Sequence, residues 1–422
     1  MERKGIYDVA IIGGGIMGAA TAYYLARAGV SAALFEKGRI GGEQSSRNWG
    51  AVRQQERDPA EVPLMMESVR LWEGIEEELG AGLDWRQEGH LSLAYDEKSL
   101  ARYSEWLAVG QEFGLDTKIL TSKEVHQLLP HYEDSACRGG IYTASDGCAE
   151  PVKVAAAFAH AARVKGADVF EWCSVSAIED HNGSVCGLIT EQGRIKANAI
   201  IVTAGAWTSR ILQPLGIAHP SLWIRGSVGR TSVMPIDMRK LVVSGRCAYR
   251  QRADGRVNIA VAEDGYHDLM LDSIVHGPKF LPLAMRNWRN VRFSLGKPMI
   301  RSLMGDFSDF TTHRTLDPQP DWNGLNKAAR LFVKEYPGAG RITYERGWAG
   351  YIDYMPDELP VMGGIPGRPG LYVAAGFSGH GFGMGPVVGR AMADLVQGKP
   401  VGQDLGPFRP ERFSAQGSGS RT

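Results

Sequence analysis

What the chain lacks narrows its function early. Its five cysteines, Cys137, Cys148, Cys173, Cys186 and Cys247, are odd in number and include no CxxC pair. That excludes a disulfide framework and a zinc cage, and it leaves reduced, mostly buried thiols of the kind a cytoplasmic protein keeps. Net charge is absent too: 47 Lys+Arg stand against 47 Asp+Glu, so no global field draws nucleic acid or a membrane surface. No stretch approaches the roughly 18 apolar residues of a membrane span. The apolar run after Tyr7 is broken by Asp8 and three glycines, as befits a buried strand and a turn rather than a signal peptide. Internal repeats are missing as well.

What is present is glycine, 53 of 422 residues, marking many places where backbone turns sharply or approaches a ligand. The length exceeds one compact core and predicts two domains. Tyr7 to Ile12 reads as a central parallel strand, Gly13 to Gly18 as a turn, Ala19 to Ala28 as a helix, and Ala32 to Phe35 as a second strand ending at Glu36. Glu61 to Leu79 looks helical, Gly89 to Ala94 extended, and Pro151 opens a helix over 151–166. Strands are expected over Asp168–Ile178, Val185–Glu191, Arg194–Ala199 and Ala199–Thr203, with turns at Asn182-Gly183 and Gln192-Gly193. Ser414 to Thr422, small and polar, reads as a disordered tail, placed from residue 413 onward.

Gly13-Gly14-Gly15-Ile16-Met17-Gly18 matches GxGxxG in its required strand–turn–helix setting. Gly13 makes the turn, Gly15 lets backbone approach a pyrophosphate, and Gly18 lets helix pack on strand. The phosphates would face the N–H groups and the positive dipole end of the helix that Ile16 and Met17 open. Glu36 is placed to accept ribose hydroxyls and to repel a 2′-phosphate. The far end of the chain distinguishes FAD from NAD. Tyr372–Ala375 is a strand, followed by Gly376-Phe377-Ser378-Gly379-His380-Gly381-Phe382-Gly383-Met384-Gly385-Pro386 and a helix through Val396. Such a loop aims a second helix N-terminus at a ligand, which suits the negative charge of a reduced flavin and serves no need of a nicotinamide.

With these pieces in place, the sequence from Asp8 to about Lys399 resembles the D-amino-acid oxidase superfamily, near its sarcosine oxidase and glycine oxidase group. Three further motifs carry the likeness: Ile201-Val202-Thr203-Ala204-Gly205-Ala206-Trp207; Trp348-Ala349-Gly350 with Met355-Pro356-Asp357-Glu358-Leu359-Pro360-Val361-Met362-Gly363; and Gly376 to Pro386. The resemblance implies an α/β fold, with a Rossmann-like FAD-binding domain drawn from 1–80, 145–220 and 341–400. A second, mixed-sheet α+β substrate domain would come from 81–144 and 221–340. It also implies FAD contacts at Lys37, Ser45, Ser46, Arg47, Asn48, Gly50, Ala51, Val175, Ala204, Gly205, Trp207 and Gly350, and along Gly376, Gly379, His380, Gly381, Phe382, Gly383 and Met384.

The implied reaction moves a hydride from the carbon beside an amine nitrogen to flavin N5, giving an imine that water hydrolyses, with oxygen or another acceptor reoxidising the flavin. Arg53 falls where the resembled family binds a substrate carboxylate; otherwise Arg53 or Arg47 holds pyrophosphate or a surface acid. His380 is a candidate base, or an imidazole incidental to backbone packing. Tyr249, Arg250, Trp348 and Tyr351 are candidate pocket walls, unless they serve the core. Three departures from the sarcosine oxidases stand out. Gly383 replaces a carboxylate-binding lysine, Gly350 takes the place of the flavin-linking cysteine, and Asn258 falls near a lysine used with oxygen. They predict non-covalent FAD, a poor oxidase or a dehydrogenase, and a larger N-substituted or cyclic amino acid as substrate. Lys279 to Arg301 carries six Lys/Arg and no acid, a candidate docking face for an electron acceptor, a partner subunit or a membrane, or simply a solvated surface. Two other readings stay open: oxidation of a 2-hydroxy acid or glycerol phosphate, and a flavoprotein subunit of a larger complex or biosynthetic pathway.

Overall fold

The computed structural model describes residues 5–413 apart from 246, 262–264, 288–290, 295–299 and 301–309. Two large sheets organise the chain. The first has eight strands and a parallel centre: Leu371–Ala375, Gly193–Val202, Tyr7–Ile12, Ala32–Phe35 and Asp168–Phe170 lie side by side in that order. Register brings Ile12 level with Val202 on one side and Phe35 on the other, so the carboxyl ends of three strands meet at one edge. That edge is where ligands bind in open α/β sheets. The strand Tyr7–Ile12 is buried at every position but Asp8, because helices cover one face and a second apolar cluster the other.

Two helices from opposite ends of the sequence cross on this sheet. Ile16–Arg27 and Gly381–Val396 approach closely because glycine stands at the contact: a Cβ on Gly385 would fall 2.4 Å from Ile16 Cδ1, and one on Gly389 2.7 Å from the Ala20 carbonyl carbon. Among the described residues the second sheet has ten strands around Leu222–Val233, which pairs antiparallel with Tyr344–Tyr354 from Leu222↔Tyr354 to Thr231↔Tyr344. The sequence grouped 341–400 with the FAD-binding segments, yet Tyr344–Tyr354 belongs to this second sheet. A two-stranded ladder, Ala51–Val52 against Gly147–Cys148, leads the chain toward Arg53.

Several local expectations need correction. The strand expected over Asp168–Ile178 is two, Asp168–Phe170 and Val175–His181, broken where Trp172 takes a positive φ and the N–H groups of Trp172 and Cys173 donate to the carbonyls of Gly38 and Glu36. The two strands expected to meet at Ala199 are one, Gly193–Val202. Phe413, assigned to the tail, ends a 3-10 turn and packs on the second core; 414–422 lie outside the described residues. Of the basic run from Lys279 to Arg301, 288–290, 295–299 and 301 likewise lie outside them. No helix among the described residues is long and apolar enough to cross a membrane.

Candidate active site

A cavity of ≈ 500 Å³ runs between the two sheets, and both crossing helices open onto it. Gly15 caps the first and His380 the last; the His380 side chain bonds no N–H of its own helix, and neither first turn carries an acid. The positive ends of two dipoles thus face one space. Thr203 Oγ1 donates to the carbonyls of Ile12 and Gly13 and pins the glycine turn. Glu36 accepts the N–H groups of Gly14 (2.7 Å) and Gly38 (2.8 Å). Burial pushes its carboxyl up to about 7 against those two lowering bonds.

Another part of the lining is held by a group that sequence reasoning missed. Glu43 accepts from Lys37 Nζ (2.6 Å), from Trp207 Nε1 and from the Leu316 N–H, while Lys37 lies 4.5 Å from the Trp207 ring centre. Ser45 Oγ accepts the Ile16 N–H, and Arg47 donates to the Ala349 carbonyl and pairs with Asp317. Gln44 lines the cavity with Oε1 buried and without a partner among the described residues, an acceptor suited to a ligand bearing N–H or O–H groups. Asp353, missed as well, lines the cavity and accepts the Gly376 N–H; burial pushes its carboxyl up to about 6. Only the position of Asp353, three residues before the Pro356-Asp357 pair, hinted at it.

Most predicted residues meet here. Gly13, Gly15, Ile16, Met17, Glu36, Lys37, Ser45, Arg47, Asn48, Arg53, Val175, Ala204, Gly205, Trp207, Gly350, Gly379, His380, Gly381 and Phe382 all line the cavity. Others stand behind it. A Cβ on Gly18 would fall 2.0 Å from the Gly13 carbonyl oxygen, so that glycine serves helix–strand packing. Gly50 packs against Ala149 and Arg250, and Gly376 against Met355. Ala51 pairs with Cys148, Ser46 bonds back to Glu43, and Met384 is fully buried. The Gly383 carbonyl accepts from Ser68 and Trp72, and a Cβ there would fall 3.1 Å from Met65 Cε and 3.2 Å from Val52 Cα, so glycine suits the close approach at that position.

The proposed aromatic walls need the plainest correction. Tyr249 is fully buried in another cluster, with its hydroxyl donating to Glu335 and its ring against Phe332 and Tyr336. Strand alternation explains it: the neighbouring Ala248 faces the cavity, so Tyr249 faces away. Trp348 is not part of the lining: it donates Nε1 to the Arg47 carbonyl and packs against Val228, Ala248 and Ala260, which are. Arg250 is taken by Glu150 and the Trp49 carbonyl, and Tyr351 by Trp223 and Asp268. Asn258 is buried on a sheet strand outside the cavity lining.

Two cationic helix ends, a carboxylate at the end of the second strand and an unpaired amide oxygen suit an elongated diphosphate ligand with ribose and heterocyclic N–H groups. A family model described as FAD dependent oxidoreductase, DAO, matches residues 8–395. The chain belongs to the DAO family of FAD-dependent oxidoreductases. Among its relatives, glycine oxidase of Bacillus subtilis (strain 168) is 28% identical over 97% of this chain and 98% of its own. Sarcosine oxidase subunit beta of Rhizobium meliloti is 24% identical over 98% and 89%. The solved L-amino acid deaminase from Proteus myxofaciens superposes with TM-score 0.92 at 27% identity, covering 97% of this chain and 94% of that one. L-proline dehydrogenase from P. horikoshii gives 0.79 at 27%, covering 96% and 97%.

Proposed function

We propose that the protein oxidises an amino acid or small amine, secondary or otherwise N-substituted, to an imine that water hydrolyses. The observation that carries this reading is that Arg53 and His380 open onto the same cavity as the two helix ends. Bound FAD supplies a two-electron acceptor for the hydride. The chain's own residues bind and orient. Arg53 offers a guanidinium that pairs bidentately with a carboxylate and so fixes the Cα–H bond in space. Val228, Val243, Ala248, Ala260 and Ile352 give the cavity an apolar stretch of lining that keeps water away. Glycine, sarcosine and proline, in the names of relatives and structural neighbours, are all small amino or imino acids.

Anaerobic addition of D-, L-, N-methyl and cyclic amino acids, with 2-hydroxy acids beside them, tests the reading. At least one amine should bleach the visible absorbance of the bound flavin, and the hydroxy acids should not. Bleaching by a hydroxy acid alone transfers the protein to the alcohol-oxidising reading. Bound FAD that no substrate bleaches, except when a second protein is added, supports the subunit reading.

A further inference from the structure

Behind the cavity wall lies a buried charged group that the reaction as proposed does not use. Glu61 is fully buried, and its Oε2 sits 3.1 Å from His380 Nδ1. Arg57, 4% exposed, lies 3.8 Å from the same carboxylate, and its Nη2 donates to the His380 carbonyl. Both partners are helix caps. Glu61 precedes Val62–Glu73 and His380 precedes Gly381–Val396, where the positive dipole end favours an anion and disfavours an imidazolium. His380 nevertheless lines the cavity, with its side chain 25% exposed. Nδ1 is engaged with Glu61, so Nε2 is the ring nitrogen left without a protein partner among the described residues.

We propose that Glu61 is a positioning residue: it accepts the Nδ1–H of His380, fixing the tautomer whose Nε2 lone pair is offered to the substrate nitrogen. The carboxylate accepts only, so the proton of a neutral imidazole between Glu61 and the cavity belongs on Nδ1. A lone pair at Nε2 takes a hydrogen bond from the amine N–H and keeps the nitrogen's own lone pair directed toward the carbon that loses hydride. The surrounding charges agree. Burial, then Arg57 and more weakly Arg53, push His380 down to about 4, against the raising effect of Glu61. For Glu61, burial raises its pKa, but His380, Arg57 and Arg53 outweigh it and hold it below the ordinary range. At neutral pH the pair is therefore a carboxylate and a neutral imidazole. The role in turnover rests on the functional reading above; the tautomer does not.

The test uses FAD-loaded protein with 15N-labelled histidine rings, the His380 signals being assigned by their loss in His380→Asn. At pH 7 the wild type should show the neutral Nδ1–H tautomer. In Glu61→Gln, whose amide can donate to Nδ1, the signals should move toward the Nε2–H form. A wild-type ring that is charged or protonated on Nε2, or one that Glu61→Gln leaves unchanged, overturns the proposal. The second arm is flavin reduction by the best amine of the panel. His380→Asn should slow it about 10²-fold and Glu61→Gln about tenfold or more, with the double variant no slower than His380→Asn alone. Multiplying effects would show that Glu61 does not act through His380, and would also overturn it. A wild-type flavin that no amine reduces sinks the functional reading alone, because nitrogen shifts report the tautomer without turnover.

Discussion

Arg53→Ala is expected to raise the KM of a carboxylate-bearing amine about a hundredfold or more, while FAD stays bound and kcat changes far less. Truncating one member of a buried, hydrogen-bonded charge pair costs about 2–5 kcal/mol, which spans that range. The guanidinium is presented by a stiff segment. The Gln54 and Gln55 N–H groups both donate to the fully buried Asp146, at 2.7 and 3.2 Å, and the Gln55 side chain is tied to Ser92 and Thr143. Arg53 itself donates to the Gln55 carbonyl, so one contact already orients it. An amine substrate lacking a carboxylate supplies the control, since its KM should hardly respond. Steady-state kinetics on the two substrates decide the matter: an unchanged KM for the amino acid would remove Arg53 as the anchor.

Gly18→Ala is expected to cost the protein its flavin and several degrees of thermal stability. The added methyl would stand 2.0 Å from the Gly13 carbonyl oxygen and 2.6 Å from Thr203 Oγ1. Real Cβ atoms do not come that close, and the first of these neighbours is backbone, which cannot swing aside. Relief requires lifting the helix Ile16–Arg27 off the turn, and that displaces the N–H groups facing the diphosphate. Forced overpacking of this kind costs about 1–3 kcal/mol before the lost ligand is counted. Flavin content per chain and a melting curve measure both effects. Full occupancy with an unchanged Tm would show that the contact between this helix and the glycine turn tolerates what its geometry forbids.

Local chemistry made the first βαβ unit legible, because each glycine there has its own steric duty. The Asn182-Gly183 turn was equally readable, and both residues take positive φ as a two-residue hairpin requires. The break at Trp172 was not, since its cause is a pair of bonds to Gly38 and Glu36, set by tertiary neighbours. In the site, the glycine-loop and strand-end residues meet at the cavity because they serve backbone geometry. Tyr249 failed on parity: a strand residue one step away from Ala248 faces the opposite side, and sequence alone does not say which side holds the cavity. Glu43 and Glu61 left no sequence signal. Their partners, Leu316 for one and His380 for the other, lie hundreds of residues away, and only the fold brings them together.

We propose that two helix ends, one from each end of the sequence, clasp a single FAD without a covalent bond. Titrating FAD into apoprotein prepared by acid release, across pH 6 to 8, tests it most directly. Glu36 is pushed up to about 7 without the cofactor, and ribose hydroxyl donors favour its ionised form. Its pKa must then fall on binding, protons are released, and affinity rises with pH by about tenfold over that interval. The expected result is one FAD per chain, this pH trend, and its loss in Glu36→Gln. Colour that stays with acid-denatured protein, or apoprotein that takes up no flavin at any pH, would contradict it.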